Sequence, residues 1–189
     1  MMTRGAKPLT NPLFFDNDCI SAFLWVEKQS ILTRLYPNKI VIPQPVYNEL
    51  SFPGIQHLKM RVDSMINNGD VEIRHIQTNT EAYDFYFKMT QNPDINHKII
   101  GNGEAACLAL AKSENGIIAS NNLKDIRDYI EEYSLKHITT GDIMIEAYQK
   151  GIITEAQGNM IWANMLAKRR RIGARSFSEY LKSKNLYNQ

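Results

Sequence analysis

Five short apolar runs, each closed by a polar or proline residue and each leading toward a helix-patterned stretch, constrain this chain more than any other feature. Leu13-Phe14-Phe15 stops at Asp16, and Lys39–Ile42 is bounded by Pro43 and Pro45. Proline fixes its own φ and donates no hydrogen bond, so it ends a buried strand sharply. Val71–Ile76 alternates apolar with polar after the turn Asn67-Asn68-Gly69-Asp70. Gly116–Ala119 ends at Ser120-Asn121-Asn122, and His137-Ile138-Thr139 supplies a fifth candidate. Between these runs, apolar residues recur at helical intervals, as Ile55, Leu58, Val62, Met65 and Ile66 do. Helical patterning also covers Cys19–Val26, a helix beginning in Val46–Leu50, Thr80–Met89, Glu104–Ala111, Leu123–Tyr133, and Gly141–Lys150 with Gly151 as its cap. Thr154 caps a last long helix predicted from Glu155 to about Arg171. Strands alternating with helices build βαβ units. The predicted fold is a three-layer α/β/α domain on a mainly parallel central sheet of about five strands.

With 189 residues the chain suits one domain. It is expected to divide into an N-terminal extension over 1–12, a domain over 13–171 and a basic tail over 172–189. At 43% hydrophobic and 22% charged, the composition excludes wholesale disorder. No apolar run approaches the roughly 20 residues that span a bilayer. Met1 to Pro12 carries no apolar core of a signal peptide, so a cytoplasmic protein is expected. Cys19 and Cys107 both sit among apolar neighbours and read as small core residues, not as a disulfide or a zinc site. The net charge of +2 conceals an asymmetry. From Lys168 onward there are seven cations against one anion, Glu179, which leaves 15 cations and 19 anions before it. Such a body suits an acidic pocket with a basic flank that attracts phosphate.

In open parallel sheets the ligand crevice lies beyond the carboxyl ends of the strands. Asp16 directly follows the first run, Glu49 comes soon after the second, and Asn121 and Asn122 follow the fourth. Glu104 opens the helix that leads into the fourth strand. Oxygen donors brought together from distant segments suit Mg²⁺ or Mn²⁺. Each position also has a plain structural use: Asp16 as a helix cap, Glu49 as a solvent-facing helix residue, Glu104 as a complement to the helix dipole, and Asn121-Asn122 as an Asx turn. Other chemistries lack their motifs. There is no HExxH, no GxxxxGK[ST] loop and no GxSxG elbow, and Gly101-x-Gly103 lacks the third glycine of a dinucleotide fingerprint.

Leu13-Phe-Phe-Asp-Asn-Asp-Cys-Ile-Ser-Ala-Phe-Leu24 resembles the opening strand and first acid of PIN-domain nucleases. Ile42-Pro-Gln-Pro-Val-Tyr-Asn-Glu-Leu50 resembles the second motif of that family, and Gly101-Asn-Gly-Glu-Ala-Ala-Cys-Leu-Ala-Leu-Ala111 the third. Ile117-Ile-Ala-Ser-Asn-Asn122 falls at the fourth, and Gly151-Ile-Ile-Thr with the terminal helix is similar to the standalone branch. The resemblance spans roughly residues 13–170. It implies a metal-dependent ribonuclease in which Asp16, Glu49 and Glu104 hold Mg²⁺ or Mn²⁺, with Asn121 as a further ligand and Asn122 orienting a water. It also implies RNA, single-stranded rather than duplex, as substrate. A toxin role with an antitoxin partner in the acidic groove, and a homodimer, belong to the same expectation.

One departure stands out: Asn121-Asn122 replace the usual fourth carboxylate with amides, which bring no negative charge. Asp125, one helical turn on, and Asp142, after the fifth strand, are the candidates to compensate, and Asp18 is a candidate to add to Asp16. The alternative is a PIN-like module, weakened in catalysis, that binds nucleic acid or protein. Lys168, Arg169, Arg170, Arg171 and Arg175 are expected to grip phosphates, although cations on a last helical turn also suit its dipole. Tyr83, Phe85, Tyr86 and Phe87 are expected in core packing or an interface rather than under stacked bases.

Overall fold

The computed structural model describes residues 11–94 and 97–184; the expected extension over 1–12 falls almost wholly outside them, as does the end of the tail. Five strands, β1 (Leu13–Phe15), β2 (Ile40–Pro43), β3 (Val71–Arg74), β4 (Ile117–Ala119) and β5 (Lys136–Ile138), form one sheet in the order β3-β2-β1-β4-β5. Every pairing is parallel, with Leu13 opposite both Ile40 and Ile117. β1 is central, so both of its faces must be covered. All three of its residues are fully buried, which is why the run is continuously apolar instead of alternating.

Ten helices flank the sheet among the described residues. α1 (Asn17–Trp25) and α2 (Gln29–Leu35) join β1 to β2, and α3 (Gln44–Glu49) with α4 (Gln56–Asn67) joins β2 to β3. α5 (Glu81–Gln91) and α6 (Asn102–Ser113) then carry the chain from one edge back past β1 to β4. α6 is buried almost all round, and its run of alanines lets the sheet and helices α3 and α5 approach closely. This reversal makes the gap between β1 and β4 the topological switch point, where such folds place their ligands. α7 (Leu123–Glu132) and α8 (Thr140–Gln149) follow β4 and β5, and α9 (Glu155–Ala167) follows α8.

The structure departs from the sequence reading at the end of the chain. α9 stops at Ala167, with Lys168 as its cap and Arg169 in the left-handed region at φ 58°. Lys168–Arg171 therefore forms a turn, not the last turn of a helix. Residues 177–183, read as part of a tail, form α10 (Phe177–Ser183), capped by the Ser176 hydroxyl, which accepts from Glu179 N–H. Phe177 and Leu181 are buried, and Phe177 lies 5.9 Å from the Trp162 ring. No described helix is long and apolar enough to cross a membrane.

Candidate active site

Asp16 leaves β1 and caps α1. Its carboxylate accepts the Asn17 N–H at 2.7 Å and, across the switch point, the Ser120 hydroxyl at 3.1 Å. It is 5% exposed. Burial raises its pKa well above the ordinary value, and the negative charges of Asp18, Glu104 and Glu49 push the same way, against the lowering contact from Asn17. The structural use of Asp16 as a cap and its placement in an acidic cluster are thus both realised.

Glu49 ends α3 and accepts from Asn17 Nδ2 at 3.1 Å. Burial raises its pKa, opposed by hydrogen bonds from Asn17 and the Gly103 backbone. Glu104 lies in the first turn of α6 and reaches back to the Gly101 N–H at 3.3 Å, while its other oxygen takes Asn122 Nδ2 at 2.5 Å. Burial raises its pKa too, opposed by Asn122 and Gly101 and reinforced by Asp125 and Asp18. Gly103 is what lets these acids meet. A Cβ built there would stand 2.7 Å from Glu49 Oε1, 3.1 Å from Val46 Cγ2 and 3.4 Å from Asp16 Oδ1.

The three acids open into one cleft of about 670 Å³, which Asp18, Asp125, Asn121 and Asn122 also line. Asp18 accepts the Asn121 N–H with both oxygens at 3.1 Å. Asn121 is engaged at both ends of its carboxamide by Thr140: Oδ1 accepts the Thr140 N–H and Nδ2 donates to the hydroxyl, each at 2.9 Å. It braces the end of β4 against the start of α8. Asp142 does not line the cleft; it bonds Thr139, Tyr180 and Lys184 instead. Burial would raise its pKa, but the Thr139 hydrogen bonds and Lys184 outweigh that and lower it.

The basic segment divides in three. Arg169, Arg170 and Arg171 line the cleft, joined by Lys124. Lys168 instead lies 5.5 Å over the Trp25 ring, and Arg175 sits beside α10, its backbone N–H donated to Glu179. Arg170 latches the turn onto α1, with its guanidinium 5.9 Å over Trp25 and 3.3 Å from the Ser21 hydroxyl. Of the aromatics, Phe85 packs edge-on to Tyr133 beneath Lys112, and Tyr83 stacks on the exposed Phe87, away from the cleft lining. Cys19 and Cys107 are free and buried.

Asn17 and Lys124 went unread in the sequence. Asn17 had one available signal, its place directly after the first acid; nothing local marks Lys124.

The acids lining the cleft offer carboxylate oxygens, the chemistry of Mg²⁺ and Mn²⁺. Among the described residues no three His, Cys, Asp or Glu side chains already stand as a ligand set. Glu49 turns to Asn17, and Glu104 to Asn122 and Gly101. The fit is therefore one of donor type and charge: a cation would relieve the crowding of negative charge on buried Asp16, and the open face of Gly103 leaves the acids room.

A parallel α/β sheet with an acidic cleft at its switch point defines a class of α/β domain whose site sits at the strands' carboxyl ends. A family model described as PIN domain matches residues 13–185, and the chain belongs to the PIN-domain family. No curated protein and no solved structure matches it.

Proposed function

We propose that this PIN domain is a divalent-metal-dependent ribonuclease. One observation carries the reading: Asp16, Glu49 and Glu104 come from three separate segments onto one cleft, although their charges disfavour the grouping. Mg²⁺ or Mn²⁺, when bound, would supply charge neutralisation at the scissile phosphate and an acidified water. Asp16, Glu49 and Glu104 would hold it, with Asn17 and Ser120 fixing the angles of Glu49 and Asp16 through the hydrogen bonds described. Arg169 and Arg171 would take the phosphates on either side of the cleaved bond, with the substrate a single strand of RNA. A toxin role, in which an antitoxin segment fills the same cleft, is the version that the sequence resemblance favours.

A second reading has its own support. Asn121 is committed to Thr140, and neither Asn121 nor Asn122 brings charge, which suits a domain that binds nucleic acid or protein without turnover. Incubation of the purified protein with mixed RNA and single-stranded DNA in Mn²⁺, Mg²⁺ or EDTA separates the two. RNA cleavage that needs the metal and is lost in Asp16→Asn and Glu104→Gln supports the nuclease. Wild-type rates in either variant would end that reading, and metal-independent binding with no cleavage would favour the second.

A further inference from the structure

Asn122 stands where a carboxylate is expected, yet its side chain is neither idle nor a helix cap. It precedes α7 without a side-chain cap bond, and its own N–H goes to the Ser120 hydroxyl at 3.2 Å. Its amide nitrogen is shared between two acids, Glu104 Oε1 at 2.5 Å and Asp125 Oδ2 at 2.8 Å. Asp125 and Glu104 thus face each other across one donor group inside the cleft. The negative charge absent from position 122 is present one helical turn later, on the same wall. Among the described residues no Lys or Arg ion pair holds Asp125, although Lys124 is adjacent in sequence. A purely structural Asp125 would complement the helix dipole at the start of α7 and need no partner across the cleft.

We infer that Asp125 replaces the absent fourth carboxylate of the metal centre, with Asn122 positioning it against Glu104. The inference rests on the metal-dependent reading above and adds a ligand to it. The substitution is a transfer of charge from residue 122 to residue 125. The carboxylate should therefore be movable back.

Isothermal titration of Mn²⁺ into the full chain tests this on wild type, Asp125→Asn, the double variant Asn122→Asp/Asp125→Asn, and Asp142→Asn as an acid outside the cleft. Melting in EDTA establishes that each variant folds. Asp125→Asn is expected to weaken Mn²⁺ binding by about tenfold or more, the scale on which supporting groups at metal sites act. The double variant recovers most of that loss, and Asp142→Asn binds as wild type does. Unchanged affinity in Asp125→Asn overturns the inference, as does an equal loss in Asp142→Asn or a loss that the double variant fails to recover. A wild-type chain that binds no Mn²⁺ removes the metal-dependent reading itself, so the two failures are distinguishable.

Discussion

Asp16 carries two opposed duties. As a cap it stabilises α1, and as a buried acid among acids it destabilises the fold wherever it is ionised. Because its folded pKa lies above the ordinary 3.8, the native state holds its proton to higher pH than the unfolded chain does. The stability linked to that proton is complete at low pH and lost as pH rises through the folded value. Asp16→Asn keeps a competent cap, since Asn and Asp cap equally well, and removes the charge. In EDTA at neutral pH the variant should melt above wild type, and the gap should close in acid. A variant that melts lower at neutral pH would show that the cap contact outweighs the repulsion. Gly103→Ala acts differently. The new methyl meets a movable carboxylate and one Val46 methyl, so the fold should persist while Glu49 swings away. Mn²⁺ affinity should fall with only a small change in melting temperature, a split readable by titration and calorimetry on the same sample. The acids themselves were legible from local pattern: Asp16 closes an apolar run, Glu49 ends the short helix after the second run, and Glu104 opens a strongly helical stretch. Their hydrogen-bond partners were not: Asn17 and Glu49 are 32 residues apart, and Asn122 and Glu104 are 18 apart, on separate elements.

β1, β2 and β4 were readable because a strand covered on both faces is apolar without interruption, and Pro43 or a turn marks where it stops. The edge strand β3 showed instead as an alternation of apolar and polar residues. The two seven-residue helices, α2 and α10, offered too few turns for a period to emerge. What seats α10 is a tertiary fit. Gly158 of α9 leaves a notch in which a Cβ would stand 2.3 Å from the Phe177 ring, and Gly141 of α8 leaves one 2.2 Å from Tyr180. Tyr180 then donates to Asp142 and Lys184 pairs with it at 3.2 Å. Alanine at position 158 would gain about 0.5–1 kcal/mol of helix propensity. It would also drive a methyl into a fully buried ring, and overpacking of that kind costs about 1–3 kcal/mol. The second effect is larger, so Gly158→Ala should lower stability in urea melts, and Phe177→Ala in the same background should recover none of the packing lost from Trp162. A stabilised Gly158→Ala would mean that α10 is not held in this notch.

Across the whole molecule, charge is sorted by place. The acidic cleft lies at the switch point of the sheet, and the turn after α9 brings a basic rim over it, although the chain is nearly neutral at +2. Composition reveals the excess of cations after Lys168, but only the left-handed turn at Arg169 decides which of them face the cleft. Arg169 and Arg171 are exposed, and among the described residues neither has an ion-pair partner, while Arg170 is spent on Trp25 and Ser21. If the two outward arginines contact phosphates, replacing both with alanine should weaken RNA binding. It should also flatten the slope of log affinity against log salt by about 1.4, the release of two counterions from a single strand. Arg170→Ala should act through the fold instead. Loss of its cation–π contact costs about 0.5–1 kcal/mol at such a site, and the loosened turn should reduce affinity without a larger change in slope than one charge gives. Equilibrium binding measured at several salt concentrations in EDTA separates these effects. An unaltered slope in the Arg169/Arg171 double variant would return the basic rim to a structural role.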